Sequence, residues 1–508
     1  MSIGHWAILL ALSACGGDES ESRIGPVQSA AKPGDARAKL EAGIEASKEP
    51  VRQIGADDLD VLFLSIDTLR ADHLDCYGYA RKTAPHLTEL AAQGACFEQA
   101  IANWPKTAPS FASMLTSTYG STNGLKLTLA DQRLPMIYET LPEIAHAAGY
   151  ETLGVVSNLS LDERYNFHQG FDHYVCEGVQ NNADVITADA QKLLAARDRS
   201  RRYFMWVHYL DPHGPYRPPK EFLDRFVGDA TYQADQRPPM KVAASALDKK
   251  AKPQQADEIG QIPAYAYLEG KNRMRDYVAA YDGDIAYCDD RIGQLLAWMK
   301  KEGHLDHTAI VVVADHGEGM GGHDYFFEHG RLPYEDCAHV PLIMVHPKLA
   351  PARVAAPFAL LDMAPTLLDL LGLRAGWQSE GRSRVEWLQQ GAPIDAAAPV
   401  FTESSYSKDF TVAMRRGNWK LIRFCDPAVA KLCSGRPYEL YDLAADPAEE
   451  HDRLDDEPDR FESMREELDA YVEIARKRVP PTTTSGAVAI TPEEQKRIEA
   501  LGYTEGEH

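Results

Sequence analysis

Five unbroken apolar runs of strand length punctuate the chain: DVLFLSID, TLGVVSN, YFMWVHYLD, AIVVVAD and VPLIMVH. A strand that is apolar on both of its alternating faces has no side to offer water, so it belongs in a sheet covered above and below, as parallel sheets are. Helical stretches lie between the runs, among them APHLTELAAQG and YDGDIAYCDDRIGQLLAWMKKEG. Strands alternating with amphipathic helices predict an α/β fold around a central, mostly parallel sheet flanked by helices. At 508 residues the chain can enclose such a sheet and still carry an appendage.

In sheets of this kind sites form beyond the carboxyl ends of the strands. The polar residues collect there: Asp67 ends the first run, Asp211 and His213 follow the third, and Asp315 with His316 ends the fourth. A cation that activates an alcohol and neutralises a phosphoryl or sulfuryl oxygen takes hard carboxylate ligands, usually with imidazole. Asp67, Asp315 and His316 supply that set from two strand ends. In NWPKTAPSFASMLTS, Thr107 precedes a helix-like run, and two readings stand side by side: a helix cap or a nucleophile.

The rest of the chain reads as modules around this core. Trp6 to Ala14 is too short to span a bilayer and suits the apolar region of a signal peptide. It ends in LSAC, which resembles a lipobox with Cys15 as the lipidated residue; an ordinary cleaved signal is the alternative. Residues 1–15 are thus expected to be a leader, and 16–58, poor in large apolar residues, a flexible tether. Residues 59–398 form the expected catalytic domain, with 227–270 an insertion or long loop, and 399–508 an α+β subdomain with a tail. The expected location is the bacterial cell envelope, periplasmic or on the outer surface. The net charge of −23 repels polyanions and argues against nucleic acid as a partner. Seven cysteines besides Cys15 show no C-x-x-C pair; Cys425 and Cys433 could close a small loop or remain two thiols.

Three stretches carry a family resemblance. IDTLRADHLDCYGYARKTAPHLTELAAQGACFEQAIANWPKTAPSFASMLTS, FMWVHYLDPHGPYRPP and VVVADHGEGMGGHDYFFEHGRLPYEDCAHVPLIM resemble the sulfatase branch of the alkaline phosphatase superfamily. The likeness extends through LLDMAPTLLDLLGL to GNWKLIRF and ELYDLAADP. It implies an alkaline-phosphatase-like core, a smaller carboxyl-terminal subdomain, and ester hydrolysis at a divalent metal, zinc or manganese ahead of calcium or magnesium. Strict sulfatases of the branch carry paired aspartates at the first strand end and a Cys or Ser in a C/S-x-P-S/A-R signature that becomes formylglycine. Here Thr68 stands for the second aspartate, Thr107 for the Cys or Ser, and Phe111 for the Arg.

The departure points to the threonine-using relatives, in which the hydroxyl ligates the metal and attacks phosphorus. The expected reaction is hydrolysis of a phosphate monoester or diester on a small molecule, glycan or lipid headgroup. Thr107 acts as nucleophile and fourth ligand beside Asp67, Asp315 and His316, with His213 and His329 at the leaving group. The resemblance leaves His213, His323, His329 and Lys106 as candidates for binding substrate or a second metal, and makes Arg70, Ser110 and Glu318 supporting residues. His208 reads as packing or support. Hydrolysis is preferred to head-group transfer because no membrane span is visible in the sequence. Sulfate ester hydrolysis without formylglycine, phosphotransfer, and a non-catalytic binding lipoprotein are the alternatives. Oligomeric state is left open.

Overall fold

The first apolar run becomes the middle of the molecule. In the computed structural model, β1 (Asp60–Ile66) is buried along its whole length, with Val61, Leu62, Phe63 and Leu64 fully shielded from solvent. Each such side chain contributes about 1.5–3 kcal/mol by leaving water. The structure describes residues 51–478 except 56, 127–131, 178–182, 248–259, 374–378, 386–387, 389–397 and 406–409, together with 480, 491, 492, 494 and 496. Cys15 and most of the expected tether lie outside the described residues.

The remaining strands of the main sheet are β2 (Ala95–Ile101), β3 (Glu151–Val156), β4 (His173–Cys176), β5 (Tyr203–Tyr209), β8 (Thr308–Ala314), β9 (His339–Val345), β10 (Ala352–Val354) and β11 (Phe358–Ala359). Their order is β10-β2-β9-β8-β1-β5-β3-β4, with β11 also on β2. Pairings of β1 with β5 and β8, and of β3 with β4 and β5, are parallel. One expectation needs correcting. VPLIMV, in β9, is not another parallel strand: it runs antiparallel to both β8 and β2. Burial on both faces fixes the composition of a strand and leaves its direction open.

Register decides which side chains share a face. Ser65 pairs with His208 of β5 and Val313 of β8, and Val156 of β3 also pairs with His208. Successive side chains alternate. Phe63, Ser65 and Asp67 therefore line one face together with Trp206 and His208, Gly154, Val156 and Asn158, and Val311, Val313 and Asp315. The helix Thr107–Thr116 packs on this face through Phe111, whose ring lies 4.9 Å from Trp206 and 5.0 Å from His208.

The expected insertion holds short elements where it is described. The helix Ala230–Ala234 and the paired two-residue strands β6 (Lys241–Val242) and β7 (Gln261–Ile262) lie within the segment expected to be an insertion or long loop. A second, antiparallel sheet follows from β12 (Val400–Ser405), β13 (Phe410–Arg416), β14 (Trp419–Phe424) and β15 (Tyr438–Asp442), with the helix Pro458–Lys477 against it. Lys420 of β14, buried, pairs with Glu335 at 3.0 Å and Glu449 at 2.8 Å, tying this sheet to the loop that leaves the site. The seven described cysteines are all free thiols, so Cys425 and Cys433 do not close the loop considered for them. No described helix is long and apolar enough to cross a membrane.

Candidate metal centre and active site

Two strand ends and one helix start converge on a small set of oxygen and nitrogen atoms. Asp67 follows β1, Asp315 and His316 follow β8, and each offers one ligand atom within 4.8 Å of the others; all three are buried. Asp67 Oδ1 and Asp315 Oδ2 have no hydrogen-bond partner among the described residues. They lie 3.7 and 3.5 Å from His316 Nε2. His316 Nδ1 lies 2.9 Å from the Gly317 carbonyl, to which it donates, so Nε2 carries the lone pair that faces both carboxylates.

The electrostatics describe a cluster built for a cation. Burial works against ionisation of Asp67, but the His208 contact and the nearby His213 and His316 outweigh it and hold its carboxyl below the usual range. Burial, then the Asp67 charge, pushes Asp315 well up. Burial, then His329, pushes His316 well down. Two facing carboxylates in a dry site cannot both ionise unaided, whereas a divalent cation between them stabilises both as anions and takes a neutral imidazole as third ligand. The donor set and its orphaned oxygens fit such an ion.

Thr107 is the first residue of its helix, and its fully buried hydroxyl lies 3.2 Å from His316 Nε2. The cap position belongs to Lys106, which caps with no side-chain bond, so the hydroxyl of Thr107 is turned to the cluster and not to the helix. Ser110 secures the arrangement by donating to the Asp315 carbonyl at 2.7 Å. Lys106 is itself buried, and its stem packs on Gly330, where an added Cβ would lie 3.1 Å from Lys106 Cδ. Gly330 has φ of +93°. Both the space and the left-handed backbone call for glycine at the turn after His329.

His329 and His213 are brought to the same cluster. The ring centroid of His329 lies 4.4 Å from that of His316 and 5.0 Å from that of His213. His329 Nδ1 lies 3.0 Å from Glu318 Oε1, and Tyr216 donates to Glu318 Oε2 at 3.1 Å. Burial pushes the Glu318 carboxyl up to about 7. His213 Nδ1 donates to the Gly214 carbonyl at 2.6 Å.

Other expected site residues lie apart. His323 stacks face to face on Tyr334 at 3.5 Å, beside Tyr441 of the second sheet. Its φ of +55° swings it away from the strand-end path. Arg70 does not orient Asp67: it forks onto Asp72 and donates to the Glu318 carbonyl at 2.9 Å, joining the loops after β1 and β8. Thr68, with φ of +53°, keeps a buried hydroxyl with no partner among the described residues. One contributor was not anticipated, and one expected support takes its place. Asn158 donates to Asp67 Oδ2 at 2.8 Å, and its signal was its place at the end of TLGVVSN. His208, expected to pack or support, meets Asp67 Oδ2 at 3.4 Å.

Comparison with known proteins places this geometry among relatives. The sequence matches the sulfatase family over residues 60–373 and the N-sulphoglucosamine sulphohydrolase C-terminal family over residues 321–478. An N-acetylglucosamine-6-O-sulfatase of Bacteroides thetaiotaomicron is 24% identical over 477 residues, covering 77% of this chain and 81% of that protein. A choline-sulfatase of Rhizobium meliloti is 28% identical over 255 residues, covering 50% of this chain and 46% of that one. Among solved structures, one in complex with its substrate D-glucosamine-2-N,6-O-disulfate matches with a TM-score of 0.65 at 22% identity, covering 83% of this chain and 98% of that one. The phosphonate monoester hydrolase of Agrobacterium radiobacter matches with a TM-score of 0.64 at 20% identity, covering 82% and 95%. At such identities the structural likeness speaks for the fold.

Proposed function

The chain belongs to the sulfatase family of the alkaline phosphatase superfamily, and on that premise we propose that it hydrolyses phosphate esters, with Thr107 as nucleophile beside a cation held by Asp67, Asp315 and His316. The observation that carries the proposal is the Thr107 hydroxyl, 3.2 Å from His316 Nε2 at the nucleophile position of the motif. A divalent cation bound there lowers the pKa of that hydroxyl and screens charge on the transferred group. The Thr107 oxygen forms the new bond to phosphorus as the ester bond breaks; its own proton passes to solvent, and the leaving oxygen takes a proton from His329 or His213. Water then attacks phosphorus, returning a proton to that histidine, and the bond to Thr107 breaks to release the phosphate product, the Thr107 oxygen regaining its proton from solvent. Glu318 commits His329 Nδ1, which assigns the proton transfer to Nε2. The start of the Thr107–Thr116 helix adds backbone donors for the anionic group.

Sulfate ester hydrolysis is the second reading, and the sulfatase relatives favour it. Threonine weakens it, because direct attack leaves a sulfated enzyme without the easy release that formylglycine provides. The glycan substrates named for relatives support a sugar ester as the substrate class under either reading. Export on a lipidated Cys15 is part of the proposal, supported by the LSAC segment. The test is turnover of matched aryl phosphate monoester, phosphodiester, phosphonate and sulfate esters by the metal-loaded protein, with Thr107→Ala alongside. Phosphate ester turnover that falls about 10³-fold or more in Thr107→Ala is expected. Turnover of sulfate alone, or an unimpaired variant, would refute it.

A further inference from the structure

We infer that Trp206, Ser65 and His208 form a directed hydrogen-bond chain that sets the tautomer of His208 and thereby decides which oxygen of Asp67 faces the cation. The inference rests on the reading of Asp67 as a metal ligand. Two-residue alternation puts all four side chains on one face of adjacent strands, with Ser65 and His208 directly paired. The indole of Trp206 donates to Ser65 Oγ at 2.8 Å, and an indole N–H can only donate. Ser65 Oγ has one further partner among the described residues, His208 Nδ1 at 3.0 Å. The Ser65 proton therefore goes to Nδ1, and His208 carries its own proton on Nε2. Nε2 lies 3.4 Å from Asp67 Oδ2 without forming a hydrogen bond, close enough for its N–H to attract the carboxylate. The opposite tautomer would set a lone pair against the carboxylate and leave a buried hydroxyl proton without an acceptor.

Asn158 fixes the same oxygen from the other side. Its Oδ1 accepts from the amide and hydroxyl of Ser160 at 3.0 and 2.7 Å, so its amino group is the part that meets Asp67 Oδ2. With Oδ2 held by Asn158 and in electrostatic contact with His208, Oδ1 is the oxygen turned to His316 and Asp315. Phe111, at the position where the family signature has arginine, brings no donor of its own. Its ring meets His208 edge-on at 5.0 Å and 80° and covers Trp206, which keeps water from competing for the chain. Ser65, Trp206 and His208 are positioning residues that act through Asp67.

The experiment titrates manganese(II), and separately calcium(II), into chelator-treated full chain by calorimetry, with folding of each variant checked by thermal melting in chelator. Ser65→Ala and His208→Ala are expected to weaken binding about 10–100-fold, while Ser65→Thr and His208→Gln, which keep the hydroxyl and a side-chain N–H, retain most of it. Nitrogen NMR of histidine-labelled, metal-free protein is expected to show a His208 ring proton on Nε2 and none on Nδ1, and to lose that preference in Ser65→Ala. Unchanged affinity in both alanine variants, or a proton on Nδ1 in the unmodified protein, overturns the inference. A parent protein that binds neither ion instead removes the metal reading, and the NMR measurement still decides the hydrogen-bond chain.

Discussion

Both carboxylate oxygens of Glu318 are engaged, one by Tyr216 and one by His329, so this buried acid acts on the reaction through the ring it holds. Glu318→Ala is expected to slow alkyl phosphate esters by about 10²–10⁴-fold, the range of a lost general acid, and p-nitrophenyl esters far less. Rates measured on both leaving groups check this, and equal losses would remove His329 from the proton transfer. At this scale the sequence was most readable where a charged residue ended a buried strand, as Asp67 and Asp315 do. Asn158 ends a strand in the same way, but a neutral amide after apolar residues resembles an ordinary turn residue. His208 was harder to place because it lies inside β5, where burial hides its partner. His323 misled because motif spacing counts residues along the chain, whereas its left-handed backbone turns the ring onto Tyr334.

Whole elements are held to the site by groups from their neighbours. The helix Pro85–Ala91 has no side-chain cap of its own; Asp289, from the long helix Met274–Lys301, accepts from the amides of His86 and Leu87 at 3.0 and 2.9 Å. Asp289→Ala removes both acceptors and is expected to cost about 1–2 kcal/mol in denaturant unfolding, with Asp289→Asn between it and the parent. A variant as stable as the parent would show that water replaces the cap. The unbroken apolar runs and the helix-sized gaps between them made the α/β layering legible, and the short strands after residue 399 made the second sheet legible. The direction of β9 was not legible, because a strand buried on both faces has the same composition either way. The start of the Thr107 helix was ambiguous for a related reason: a hydroxyl at that point serves a cap or a site equally well until the residue opposite, His316, is known.

Across the molecule, carboxyls of two kinds contribute to the response to pH. Burial pushes Asp289 up to about 6 and Asp211 and Glu449 up to about 7. Their contribution to stability is full below the unfolded value near 4 and is lost as pH rises through 6 to 7. Glu335 is held at about 2, where burial opposes ionisation but Arg415 and Lys420 outweigh it, and Glu494 is held at about 2 by the Thr491 amide and Arg164. Their contribution is present above about 4.5 and lost as pH falls toward 2. The net charge of −23 adds self-repulsion as pH rises. The melting temperature in chelator is therefore expected to peak between about pH 4.5 and 6 and to fall toward pH 8. A peak above pH 7.5 would contradict this assignment. The alternation that sets Phe63, Ser65 and Asp67 on one face also works as a reading frame. Adding or deleting one residue within β1 would send Asp67 to the opposite side of the sheet, however well the altered strand were buried. Length is thus locked before residue 67 and open in the loops beyond the strand ends. A lineage built on this chain can change what its loops bring to the cleft by insertion, but inside β1 it can change only by substitution.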